Sequence, residues 1–431
     1  MNRLKVSDDK RFLLQSDDTP FFYLGDTAWE LFHRLNREEV DTFLETRASQ
    51  GFTVIQAVAL AEFAGLTVPN PYGHLPLHDA DPTQPNEDYF QHVDYVIDRA
   101  NALGMFIGLL PTWGDKYNKK WGEGPEVFTP ENAYSFGEWI AKRYAEKDVI
   151  WILGGDRELE TELHHTVIRE MAKGIGAGDG GTHLIAFHPQ GGRHSSEYFQ
   201  DEAWIDFNMI QSGHGRDTAN YRMIEKDYAL QPTKPCLDAE PGYEDHPAGF
   251  NQKNGYLMDY DTRKSLYWSL FSGACGHTYG CHSIWQFWSD TREPVNRPLR
   301  YWWAAVQLPG AWQQQYGKRL ILSRPVLSRI PDQSLIVSDN PDGSGHAVAT
   351  RCKNGNYAFV YSPQGDVFTL DTTKLSGETL NAHWFDPRTG HAEFVGQVSR
   401  AGHKEFTPPT QGLYQDWVLV LDDSAAGYPA P

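Results

Sequence analysis

The sequence predicts a (β/α)8 barrel of the TIM type followed by a small antiparallel β-sandwich. Three observations carry that prediction. Short apolar runs alternate with long amphipathic segments across roughly the first 300 residues. Nearly every run ends in a polar or aromatic residue, as barrel strands do where they reach an active-site face. Past about residue 325 the texture becomes short alternating segments broken by Asn, Asp, Gly and Pro turns.

Taken in order, "RLKVS" and "RFLLQ" read as two short strands around a "DDK" turn. The barrel strands follow at 21–26, 52–59, 105–111, 149–156, 183–189, 207–213, 234–240 and 276–282. Helices between them include "REEVDTFLETRASQG" and "EDYFQHVDYVIDRANALG", which stop at Gly51 and Gly104. "ENAYSFGEWIAKRYAEK", "TELHHTVIREMAKG", "ANYRMIEKDYAL" and "DTRKSLYWSLFSGA" complete the alternation. "GAGDGG" (176–181) matches a dinucleotide fingerprint in form only. It follows a helix and precedes a strand, the reverse of such a site, and reads as a flexible connection. A doubly wound open sheet is the structural rival, because periodicity does not show closure. The strand ends favour the barrel: Asp26, Gln56, Trp113, Asp156, His188, Gln211, Glu240 and His282 fall there. The predicted division is 1–325 for the barrel with its N-terminal hairpin and 326–431 for the sandwich. The sandwich either binds glycan or covers the barrel, and no row of aromatics marks it for the first. "NGN" (354–356) reads as a hairpin turn and the tail "AAGYPAP" as unstructured.

Composition narrows the function. Acidic residues outnumber basic ones 57 to 38, a formal charge of −19, which disfavours nucleic acid and anionic membrane as partners. The 14 Trp, 21 Tyr and 22 Phe can build cores and also stack on sugar rings. Four cysteines lack metal-site spacing and read as reduced thiols. No zincin motif, nucleophile elbow or phosphate loop occurs, so no metal or cofactor is expected. The first residues lack the apolar core of a signal peptide, and no membrane-spanning run is present. As written the sequence reads as cytoplasmic; a preceding leader would make it secreted or periplasmic. Oligomeric state is not legible.

Glycoside hydrolysis needs two carboxyl groups across the scissile bond, brought from the ends of different strands. Asp156 in "VIWILGGDRELE" and Glu240 in "CLDAEPGYE" meet that need, with Glu158, Asp238 and Glu244 as neighbours that compete. The alternative for Asp156 is a helix cap. The two glycines before it offer room for a sugar to approach the backbone. Asp26 either binds hydroxyls or caps a helix starting near Thr27. Trp29, Trp113 and Trp285 are candidate stacking surfaces, and Gln56, His188, Gln211, His214, Tyr279 and His282 suit hydroxyl recognition.

"PFFYLGDTAWELFHRL", "RASQGFTVIQAVA", "VIWILGGDRE" and "DAEPGYE", followed by a small β-domain, resemble the apiosidase-like group, glycoside hydrolase family 140. The C-terminal part resembles the domain named in that family for collagen binding, a name from which no collagen partner follows. The resemblance covers nearly the whole chain. It implies a retaining (β/α)8 glycosidase acting on apiose-bearing plant pectic side chains or glycosides, with Asp156 as acid/base and Glu240 as nucleophile. The broader clan carries Asn-Glu after strand four where this chain has Gly155-Asp156, which points to a different or smaller sugar. The rival readings are a glycosidase or glycanase of another specificity and a non-catalytic carbohydrate-binding protein.

Overall fold

The computed structural model describes residues 2–431. Strands β1 (Leu4–Val6), β2 (Leu13–Gln15) and β3 (Pro20–Phe21) pair antiparallel ahead of the barrel. The eight predicted runs then form parallel strands. They are β4 (Tyr23–Thr27), β5 (Val54–Leu60), β6 (Phe106–Thr112) and β7 (Val149–Gly154), then β8 (Ile185–His188), β9 (Asn208–Ile210), β10 (Cys236–Asp238) and β11 (Gly276–Tyr279). Each neighbours the next in sequence except across one seam, and β4 also pairs with β11. A first strand hydrogen-bonded to the eighth closes the sheet, so the open doubly wound alternative does not hold.

The seam lies between β8 and β9, where the ladder ends. Asp206 bridges it: its N–H donates to Ile185 O at 2.9 Å, and its Oδ2 accepts from Ile185 N–H at 2.8 Å. The chain after β8 folds back along β9, with Gly192 N–H on Gln211 O and Ser195 N–H on Met209 O.

The helix Glu162–Asp179 runs further than predicted, and "GAGD" is its last turn, not a flexible connection. It packs on the helix Pro130–Arg143, and glycines permit that contact. A Cβ on Gly174 would stand 2.2 Å from Tyr134 O, and one on Gly178 would stand 2.3 Å from Glu138 O. Close backbone approach offsets the helix propensity those glycines forgo, about 1 kcal/mol each.

The C-terminal strands are β12 (Arg329–Pro331), β13 (Val348–Cys352), β14 (Tyr357–Ser362), β15 (Phe368–Asp371), β16 (Thr379–Asp386), β17 (His391–Ser399), β18 (His403–Phe406) and β19 (Trp417–Asp423). Six form one antiparallel sheet, β12-β13-β14-β19-β16-β17, and β15 pairs with β18. The central strands β14 and β19 alternate between two cores. Ala358, Val360, Leu419 and Leu421 face Phe368, Leu370 and Phe406 of the small sheet. Tyr357, Phe359, Tyr361, Val418 and Val420 join the barrel core. There Tyr361 stacks on Tyr267 at 4.9 Å, and Asp416 receives Arg263 Nη2 at 2.9 Å in a buried ion pair. The helix Asp259–Phe271 that carries Arg263 and Tyr267 is buried on nearly every face, between the barrel and this sheet. The domain thus covers the barrel. The tail is not loose as predicted: Arg324 lies 4.9 Å from the Tyr428 ring and donates to Pro429 O at 3.0 Å.

All four cysteines are buried and free. No helix among the described residues is long and apolar enough to cross a membrane, and no group of His, Cys, Asp and Glu there is arranged to hold a metal ion.

Candidate active site

Loops at the C-terminal ends of the barrel strands enclose a cavity of about 450 Å3, and Asp156 and Glu240 both line it. Gly154, Gly155 and Asp156 all have left-handed backbone (φ 92°, 115° and 49°), which turns the chain sharply out of β7. The glycines make room for protein and not, as the sequence suggested, for a sugar. A Cβ on Gly154 would stand 2.4 Å from His188 O, and one on Gly155 would meet the Trp113 ring at 2.8 Å.

Asp156 Oδ1 accepts from Gly191 N–H at 3.2 Å. Beside it the buried Arg157 donates to Asp156 O at 2.8 Å and places Nη2 2.8 Å from Glu62 Oε1. Burial first, then the negative charge of Glu240, pushes the Asp156 carboxyl up to about 6, against the weaker pull of Arg157 and His188. Glu240 is also buried, which alone would raise its pKa. His188 Nε2 at 3.1 Å and His214 Nε2 at 3.4 Å outweigh that and hold it well below the usual carboxylate range. Its main chain is fixed as well: Gly213 N–H donates to Glu240 O at 3.1 Å, and Gln56 Nε2 donates to Ala239 O at 3.1 Å.

Of the other predicted residues, Trp29, Trp113, Gln211, His214, His282 and Trp285 line the cavity. Trp29 packs against Trp113 at 5.0 Å and edge-on to His188 at 5.3 Å. His188 is fully buried behind these rings and reaches Glu240, not the cavity wall. Three predictions fall elsewhere. Asp26 points outward from β4 and pairs with the buried Arg47 at 2.6 Å; it neither binds hydroxyls nor caps a helix. Gln56 lies inside the barrel below the cavity, accepting from Tyr23 OH at 3.0 Å. Tyr279 faces the helix layer and donates to Glu244 Oε2 at 2.6 Å. The competing acids are engaged too: Asp238 accepts from Ser212 Oγ, Glu244 from Tyr279, and Glu158 pairs with Arg193.

Sequence reasoning missed cavity residues that belong to loops, among them Glu62, Trp121, Gln190, Tyr243, His246 and Phe250. Burial first, then the Glu240 charge, holds the Tyr243 phenol well above its ordinary range. His246 stacks on His214 at 4.2 Å, and burial pushes it down to about 2. Trp113 Nε1, Gln211 Oε1 and His214 Nδ1 are buried with no hydrogen-bond partner among the described residues. Such a lining, with aromatic faces and polar groups free to bond, suits a polyhydroxylated ring.

A family model described as "Apiosidase-like, catalytic domain" matches residues 7–328. The chain belongs to the apiosidase-like glycoside hydrolases. A second model, "Putative collagen-binding domain of a collagenase", matches residues 330–422 of this hydrolase. A solved structure named glycoside hydrolase is 32% identical, with a TM-score of 0.91 over 99% of this chain and 98% of its own. A glycoside hydrolase family 5 structure from Bacteroides vulgatus is also 32% identical, with a TM-score of 0.92 over 99% and 95%. No functionally curated protein matches the apiosidase-like chain.

Proposed function

We propose that this hydrolase releases apiose, or apiosyl units, from plant pectic side chains or apiosyl glycosides with retention of configuration. Glu240 attacks the anomeric carbon as Asp156 gives its proton to the leaving oxygen; Asp156 then takes a proton from water, which displaces Glu240. The observation that supports this assignment is electrostatic. Two carboxyl groups line one cavity from the ends of β7 and β10, one pushed up to about 6 and the other held below the carboxylate range. A pair driven apart in this way divides into an acid and an ionised partner. Retention further requires the carboxyl groups to stand about 5–5.5 Å apart.

Incubation with apiosyl glucosides and apiose-bearing pectic oligosaccharides, with chromatography of the released sugar, tests the substrate. Asp156→Asn and Glu240→Gln should each lower turnover by roughly 10²–10⁴-fold. Wild-type rates in either variant would remove the assignment, and proton NMR of the first-formed anomer separates retention from inversion.

A further inference from the structure

Two large aromatic side chains lie on the cavity yet stand mostly in water: Trp121 is 59% exposed and Phe250 is 65% exposed. Neither fills a core, so their packing does not account for them. Their contacts assign them to opposite sides. The Arg157 guanidinium carbon lies over the Trp121 ring, 4.4 Å from its centroid, and Arg157 bonds Asp156 O. Phe250 meets His214 and His246 edge-on at 5.4 and 4.8 Å, and His214 reaches Glu240.

The loop that carries Trp121 is tied to the segment that carries Asp156. Asn118 Nδ2 donates to Glu158 O at 2.8 Å, and Lys120 Nζ lies 2.9 Å from Glu160 Oε1. Its other end is clasped at Asp115, whose Oδ2 accepts from Gly124 N–H at 2.8 Å, and at Lys116, which donates to Gly124 O at 3.1 Å. The indole is therefore held in place with one face on Arg157.

We propose that Trp121 is the platform for the leaving portion of the substrate, and that this portion presents a ring with an apolar face, from a sugar or an aromatic aglycone. The inference rests on Asp156 as the general acid, because the group that protonates the leaving oxygen faces the leaving side. A cavity of about 450 Å3 also matches a drug-sized molecule better than one five-carbon sugar.

The test uses methyl, benzyl and glucosyl apiosides. Methyl and benzyl alcohol are leaving groups of similar acidity that differ in having a ring, and the glucosyl arm separates sugar from aromatic recognition. Trp121→Ala should lower kcat/KM on the benzyl or glucosyl substrate, or both, by about ten-fold, and leave the methyl substrate within about two-fold. Trp121→Phe, which keeps a ring, should restore most of the difference. Phe250→Ala should act on all three alike, since it borders the sugar they share. Equal losses on all three with Trp121→Ala, or discrimination by Phe250→Ala instead, would overturn the platform. Failure of the wild-type enzyme on every apioside overturns the sugar instead, and the platform is then read on methyl and benzyl glycosides of the sugar that a broad panel shows it to release.

Discussion

At the scale of residues, Asp156 combines an unusual backbone with an unusual proton affinity. The proposed role as acid requires the protonated form, so activity should fall as pH rises through about 6. As the proposed nucleophile Glu240 acts in its ionised form and is held below the carboxylate range, so the acidic limb should lie well under pH 4 or so. His188→Phe removes one of the two imidazoles responsible and should move that acidic limb upward, as a pH–rate profile would record. Stability follows the same carboxyl with a definite sign. Unfolded Asp156 ionises near 3.8 and the folded one near 6, so its contribution to stability is present below 3.8 and lost as pH rises through 6. Asp156→Asn should therefore be about 1–3 kcal/mol more stable than wild type in urea at pH 7.5, and unchanged near pH 3.5. Asparagine tolerates the left-handed backbone, so no strain cancels the gain.

Residue-scale legibility had a clear physical limit. The sequence could place Asp156 and Glu240 at the cavity because each follows an apolar strand by two residues. Asp26 and Tyr279 stand within the last two residues of β4 and β11, where alternation turns them toward the helices. The end of an apolar run gives the level of a side chain in the barrel and not its direction. Trp121, Tyr243 and His246 lie in loops with no periodicity, and nothing in their neighbours signals that they converge.

At the scale of elements, all eight strands were legible from their apolar runs, whereas the end of Glu162–Asp179 was not. Glycine lowers local helix propensity, and the facing backbone of Pro130–Arg143 explains Gly174 and Gly178 but not Gly176. The two kinds of glycine in this helix should respond oppositely to alanine. Gly174→Ala forces a Cβ against Tyr134 O and should cost roughly 1–3 kcal/mol. Gly176, with nothing within 4 Å of its would-be Cβ, should gain about 0.5–1 kcal/mol as alanine. Thermal melts of the two variants, compared with wild type, read the contrast directly.

At the scale of the molecule, the β-domain is part of the barrel's packing. Cutting the chain after residue 328 would uncover the helix Asp259–Phe271, whose aromatic side chains have the sheet as their cover. The truncated barrel should aggregate, as size-exclusion chromatography would show. Asp416→Ala, which leaves the domain in place, should cost roughly 3 kcal/mol. That is the low end for a broken buried pair, because Asp259 still faces Arg263.

The seam at Asp206 is where the strand-to-strand ladder of the barrel is interrupted. Elsewhere a run of peptide groups joins neighbouring strands; here one residue supplies both bonds to Ile185. Opening of such a joint needs less free energy than global unfolding. Gln190 and Gly191 follow β8, and Gln211 follows β9 on the other side of the joint. Parting there would widen the chamber, pull Gly191 from Asp156, and draw His188 at the end of β8 away from Glu240, which stays with the β9–β10 ladder. Opening at this joint would thus reach both carboxyl groups of the cavity at once.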